Sequence, residues 1–261
     1  MSALPDVLSR GLQYFSLPFL FPQHALRLSW LTLSNRRLVG ELARLWPQRK
    51  WFETTDAKTV IDVGSYIGAF AYAINVLIPE AQIYCFEPLP ENYEQLRHNL
   101  SHVQRLRAFR AALGNQQGEV DFWRSDFSAS SSVLPMGELH KRAFPHAAES
   151  TRVSVPMARL DDYLPEMNLV HPVLLKLDVQ GYEAQTLDGG EELLEQVDYL
   201  LTEVSYQPLY EGQVLFDQMY SWLKEKGFEY GGNFETLISP LDGTILQADA
   251  LFIRRRDEES V

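Results

Sequence analysis

The stretch from Thr59 to Glu87, TVIDVGSYIGAFAYAINVLIPEAQIYCFE, constrains this chain most, because it spells strand, glycine turn, helix and second strand ending in a carboxylate. Val60, Ile61 and Val63 form a short apolar run suited to a buried parallel strand, and Gly64 and Gly68 bracket a tight turn before the helical run Ala69 to Ile78. Glycine frees the backbone for positive φ and for close approach of a ligand, and a helix N-terminus presents unpaired N–H groups there. The second strand, Gln82 to Phe86, leads into Glu87, nineteen residues beyond Gly68. A carboxylate at that point is placed to accept both hydroxyls of a ribose, so the unit reads as a nucleotide-cofactor site.

The glycine spacing separates two cofactor classes. A dinucleotide turn prefers G-x-G-x-x-G, whose middle glycine admits a pyrophosphate. Here the turn is Gly64-Ser65-Tyr66-Ile67-Gly68, with Tyr66 where a diphosphate needs room. The pattern Asp62-x-Gly64-x-x-x-Gly68 resembles the first motif of S-adenosylmethionine-dependent methyltransferases. Further segments carry the likeness: CFEPLPENYEQLRHNL (Cys85 to Leu100), AALG (Ala111 to Gly114), LLKLDVQGYEAQTLDGG (Leu174 to Gly190) and TEVSYQPLYEG (Thr202 to Gly212), then an amphipathic helix and Gly227-Phe228. Together, over roughly residues 59–255, they resemble the FkbM family of methyltransferases. The resemblance implies S-adenosyl-L-methionine as cofactor and O-methylation of a hydroxyl on a sugar, a glycan or a polyketide-type natural product. Residues 1–50 match no family element.

Composition bounds the partners. Twenty-three Lys and Arg against thirty-five Asp and Glu give a net charge of −12, a surface that repels phosphate backbones, so no nucleic-acid partner is expected. Cys85 is the single cysteine and sits within the second strand as a buried, inert thiol. The apolar N-terminus is interrupted by Pro18, Pro22, His24 and Arg27 before the ~20 apolar residues a membrane span needs, and it lacks a signal-peptide pattern. No transmembrane segment and a cytoplasmic location are expected. Residues 1–50 read as a helical extension or cap with Leu38, Leu42, Leu45 and Trp46 along one face, a stripe for the core or for a homodimer seam, with membrane-surface contact as the alternative.

The fold class expected is α/β: a Rossmann-like seven-stranded methyltransferase sheet, mostly parallel, with an antiparallel C-terminal hairpin, plus the N-terminal helical extension. Strands are expected near 59–63, 82–87, 106–112, 119–124, 152–155, 173–178 and 199–204. Helices fall near 69–78, 90–100 and 214–226. Asp242-Gly243 signals a hairpin, and Ala250 to Arg254 a closing strand. The methyltransferase domain is drawn as 51–256, with 257–261 as a tail. The Ser- and Pro-containing connection 125–150 is its acceptor-loop or lid candidate.

Ligands of an open α/β sheet gather beyond the carboxyl ends of its strands where strand order reverses. That rule selects Asp62, Gly64, Ser65, Tyr66, Gly68, Glu87, Pro88, Asn92, Ala112 and Asp178 as cofactor-binding candidates. The resemblance implies that Asp62 helps fix the turn and the methionine amino group. Glu87 reads as the ribose clamp, the alternative being an exposed helix-cap carboxylate, and Ala112 and Leu113 flank the adenine. Asp178 is open to three roles: contact with the methionine ammonium, orientation of the acceptor hydroxyl, or general base. Glu203 and His140 complete the catalytic candidates. Glu183 is a further carboxylate, and Tyr206 and Tyr210 are possible pocket aromatics. No metal site is assigned, since no histidine cluster supports a cation shared by Asp178 and Glu203. Two other readings stand beside methyl transfer: an NAD(P)-dependent oxidoreductase, and a non-catalytic cofactor-binding scaffold of a biosynthetic assembly.

Overall fold

The structure is a computed structural model, described over residues 36–126 and 128–255. The apolar runs become strands because both faces of one sheet are covered. In chain order the elements begin with helices α1 (Arg36–Leu45) and α2 (Arg49–Thr55), strand β1 (Thr59–Val63), helix α3 (Ala69–Leu77), strand β2 (Gln82–Phe86), helix α4 (Pro90–Asn99) and strand β3 (Leu106–Phe109). Strands β4 (Ala112–Leu113) and β5 (Gly118–Ser125), helix α5 (Glu138–Ala143) and strand β6 (Ser150–Ala158) follow. The chain continues with β7 (Val173–Leu177), α6 (Glu183–Asp188), α7 (Glu191–Gln196), β8 (Tyr199–Ser205), α8 (Phe216–Glu225), β9 (Phe228–Ile238) and β10 (Ile245–Arg254).

The main sheet runs β3-β2-β1-β7-β8-β10-β9. Its first five strands are parallel, and β10 lies antiparallel to both β8 and β9. This is the expected seven-stranded layout with its C-terminal hairpin, turned through Gly243 at φ 78°. β1 and β7 are buried along their whole length, as strands covered on both faces must be. Strand order reverses between β1 and β7, where Asp62 stands opposite Lys176.

The two turn glycines answer first to the protein's own packing. Gly64 has φ 77°, and a Cβ there would lie 1.9 Å from the Asp178 carbonyl oxygen. Gly68 has φ 82°, and a Cβ would lie 2.6 Å from Leu100 Cδ1 on the segment after α4. The ligand approach expected of these glycines is thus superimposed on a strand-to-strand and a helix-to-helix approach.

Two expectations are corrected, and the stripe on α1 takes the core alternative. The strand expected over 106–112 breaks after Phe109: Glu87 N–H to the Phe109 carbonyl is the last rung, and Pro88 has no N–H to continue the ladder. β4 therefore leaves the main sheet and pairs with β6, forming a separate three-stranded sheet β4-β6-β5 that holds the strands expected near 119–124 and 152–155. The stripe on α1 is core: Leu38, Val39, Leu42 and Leu45 are buried in the cluster that contains Phe70, Ala71 and Ile74 of α3. The part of the homodimer-seam expectation that rests on residues 1–35 lies outside the described residues. Among the described residues no helix is long and apolar enough to cross a membrane.

Candidate functional site

The turn after β1 is tied to the end of β2 by side chains that the sequence places there. Ser65 Oγ donates to the Asp62 carbonyl (2.6 Å) and accepts from Phe86 N–H (3.1 Å). Glu87 closes the turn from the other side: its carboxylate accepts from Tyr66 N–H (2.9 Å), Leu89 N–H (3.0 Å) and Asn92 Nδ2 (3.2 Å). Tyr66 has φ 52°, and its hydroxyl accepts from Arg37 on α1. Burial pushes the Glu87 carboxyl up to about 7, against the pull of those hydrogen bonds.

At the reversal point a buried charge chain crosses from β1 to β7. Lys176 Nζ lies 3.2 Å from Asp62 Oδ1 and 3.3 Å from Asp178 Oδ2. Burial works against the ammonium, but Asp178 and Asp62 outweigh it and its pKa is raised. Burial raises Asp62, which is fully enclosed. Asp178 is partly exposed to the cavity, and although desolvation pushes its carboxyl up, Lys176 and Gln180 hold it below the usual carboxylate range. Gln180, in the left-handed region at φ 57°, donates both amide hydrogens, to Asp178 (2.7 Å) and Glu203 (2.9 Å), and its Oε1 accepts from Tyr210 (2.7 Å). Ser132 Oγ donates to the Gln180 carbonyl (2.7 Å), anchoring the 125–150 connection over this turn. Burial, then the neighbouring Asp178, raises Glu203 well above its ordinary value.

These strand ends open into a cavity of about 660 Å³. Gly64, Ser65, Tyr66, Glu87, Pro88, Asn92, Ala112, Asp178 and Glu203 all line it, so the structure brings most of the candidates together. Ala129, Ser131 and Val133 of the 125–150 connection line it as well. Asp62 does not: it lies beneath the cavity, and Lys176 intervenes. Gly68 is likewise set back against Leu96 and Leu100. Glu183 accepts from Val179 N–H (3.0 Å) and Gly181 N–H (3.3 Å) and serves its own turn. Tyr206 packs at a tilt against Phe216, and Tyr210 meets the site through its hydrogen bond to Gln180. Among the described residues no group of three or more His, Cys, Asp or Glu side chains is placed to hold a metal ion.

His140 is a correction. The expectation placed it in a lid facing the reacting atoms, but its ring packs edge-on against Phe144 and Tyr210 outside the cavity, and burial lowers its pKa to about 4. The apolar group formed by Met136, Leu209, Tyr210 and Leu246 draws the connection inward there. Because the folded pKa lies below the unfolded value of about 6.5, the unfolded chain binds more protons between these values, and stability falls as pH drops through that window. His140→Leu is expected to flatten this slope in urea unfolding at pH 4.5 and 7; identical slopes for variant and parent would overturn the assignment.

Lys176, Gln180 and Arg44 are site residues absent from the sequence-derived set. Lys176 carries a visible signal, a lone charge inside the apolar strand VLLKL. Arg44 carries none: its partners Glu235 (2.7 Å) and Asp249 (2.6 Å) lie some two hundred residues away.

A sequence model described as "Methyltransferase FkbM domain" matches residues 62–230. The 2-O-methyltransferase NoeI of Sinorhizobium fredii is 32% identical over 161 residues, which cover 59% of this chain and 66% of that protein. Methyltransferase sdnD of Sordaria araneosa is 27% identical over 194 residues, 65% of this chain and 73% of its own length. Hexuronic acid methyltransferase AglP of Haloferax volcanii is 24% identical over 155 residues, 58% of each chain. The chain thus spans just under two thirds of NoeI and less of AglP.

Proposed function

We propose a function from this premise: the chain belongs to the methyltransferase FkbM family. It is an S-adenosylmethionine-dependent O-methyltransferase whose acceptor is a hydroxyl of a sugar, glycan or polyketide-type natural product. The observation that carries this reading is a single cavity lined by Glu87 at one end and by Asp178 and Glu203 at the other. The names of NoeI, a 2-O-methyltransferase, and AglP, a hexuronic acid methyltransferase, support transfer to sugar oxygen. The working unit is the 51–256 domain with α1 packed on it, and the cytoplasm is its location.

The residues fit the cofactor. Glu87 offers carboxylate oxygens to ribose hydroxyls; Ala112, Leu113 and Phe122 offer an apolar slot for adenine; and the acidic far wall suits a cation. When bound, S-adenosylmethionine supplies an electrophilic methyl on a positive sulfonium. The protein's part is alignment in a site shielded from water. Asp178, held ionised by Lys176, accepts the hydroxyl proton as the acceptor oxygen is alkylated, and Gln180 fixes Asp178 and Glu203 relative to each other.

Calorimetric titration with S-adenosylmethionine, S-adenosylhomocysteine and NADH tests the donor. Saturable binding of the first two and none of NADH is expected, since Tyr66 fills the turn and its N–H already serves Glu87. Binding of NADH alone would replace this reading with the oxidoreductase, and binding without turnover on any acceptor would favour the scaffold.

A further inference from the structure

The cavity has a second wall, contributed by α1, β8 and the C-terminal hairpin. Register sets Asp249 of β10 between Glu203 of β8 and Glu235 of β9, and strand alternation puts Gln247 on the same face as Asp249. α1 crosses this row. Arg44 Nη1 donates to Glu235 (2.7 Å) and Asp249 (2.6 Å), while its Nε and Nη2 donate to the two oxygens of Glu41 (2.9 and 2.5 Å). Glu41, Arg44, Glu203, Glu235, Gln247 and Asp249 all line the cavity, continuous with Asp178 and the donor half.

Two features of this wall point to a ligand. Among the described residues both cations that line it are already engaged, Lys176 by Asp62 and Asp178 and Arg44 by three carboxylates, so these residues leave an excess of negative charge and no spare cation for an anion. Gln247 is only 6% exposed, yet its amide makes no hydrogen bond with the other described residues. An amide that opens into the cavity from a largely buried side chain, without a protein partner, offers a donor and an acceptor to a hydroxylated molecule.

We infer that this wall is the acceptor subsite and that it selects a polyol without negative charge, a neutral or amino sugar, and rejects uronates and phosphorylated sugars. Hydroxyls donate to Glu235 and Asp249 in charge-assisted hydrogen bonds, while Glu203, whose carboxyl burial drives toward the neutral form, and Gln247 each offer a donor and an acceptor to neighbouring hydroxyls. A carboxylate or phosphate on the acceptor meets like charges in a confined space, which is discrimination by repulsion. The inference rests on the methyltransferase reading and narrows it, in contrast to the acceptor in the name of AglP.

The test is labelled-methyl transfer by the full chain to an array of glycans in matched pairs, each neutral or amino sugar beside its uronate, with S-adenosylhomocysteine binding measured in parallel. The neutral or amino member is expected to be favoured by at least about tenfold. Gln247→Ala is expected to raise KM for it with S-adenosylhomocysteine affinity unchanged. The double variant Glu235→Gln with Asp249→Asn, which removes two of the three negative charges that neutralise Arg44 while keeping an acceptor oxygen at each position, is expected to narrow the preference. Equal or greater transfer to uronates, transfer to no glycan, or a Gln247→Ala enzyme with unaltered KM would overturn the inference while donor binding stands. Failure of the unmodified chain to bind S-adenosylhomocysteine would overturn the donor reading instead.

Discussion

Replacing Lys176 by alanine is expected to destabilise the fold by about 3–5 kcal/mol at neutral pH, the usual effect of removing one partner from a buried ion pair. The ammonium sits between Asp62 and Asp178 at the centre of the sheet, and Asp62 has no exposure to water. Without it, Asp62 is an isolated carboxylate in an apolar strand pair and is driven to take up a proton. Its folded pKa then rises further above the unfolded value, so the folded variant binds more protons than the unfolded chain and loses stability as pH rises from about 4. The deficit against the parent is therefore expected to be larger at pH 8 than at pH 5 in urea unfolding. Asp62→Asn added to Lys176→Ala is expected to recover part of the loss, giving clear non-additivity. A loss below about 1 kcal/mol, within the range of an exposed pair, or one independent of pH, would show that the triad is not the central electrostatic element.

What the sequence made legible follows the range of the interactions. The β1–turn–α3–β2 unit is local: strand runs, a left-handed turn and a carboxylate at the next strand end can be read within thirty residues, and they form as expected around Glu87. The parallel core is legible for the same reason, since strands such as VLLKL are apolar on both faces. Lys176 is legible as part of the K-x-D-V-Q-G-Y-E segment and as a charge inside an apolar strand, but its role is not, because its partner Asp62 lies on a different strand more than a hundred residues earlier. The β4-β6-β5 sheet escapes because β4 is two residues long and gains its partner only when β3 loses β2. The acceptor wall escapes because Arg44 reaches carboxylates contributed by the last two strands, a juxtaposition that only the finished hairpin creates. His140 is misplaced by the same gap: a histidine in a polar loop reads as site-facing, whereas distant Leu209, Tyr210 and Leu246 supply the surface that draws its helix inward.

Glu87→Ala is expected to weaken S-adenosylmethionine binding by well over tenfold, since hydrogen bonds to a charged group contribute about 1.5–3 kcal/mol each and a ribose offers two. The loss has a second source: Tyr66 N–H and Leu89 N–H lose the acceptor that shapes the turn. Glu87→Gln separates the two, keeping an oxygen for the turn while removing the charge. In the free protein the Glu87 carboxyl titrates at about 7, chiefly through burial, and hydroxyl donors favour its ionised form. Below that pH, binding must release the proton, so affinity is expected to rise with pH between about 6 and 8 and then level off. Glu203 lines the same cavity with a raised pKa of its own, and the difference between parent and Glu87→Gln isolates the share belonging to Glu87. Calorimetry at three pH values in two buffers of different ionisation enthalpy reads both affinity and proton release. An alanine variant with parental affinity would remove Glu87 from the donor site; a glutamine variant with the parental pH slope would assign the titration to another carboxylate.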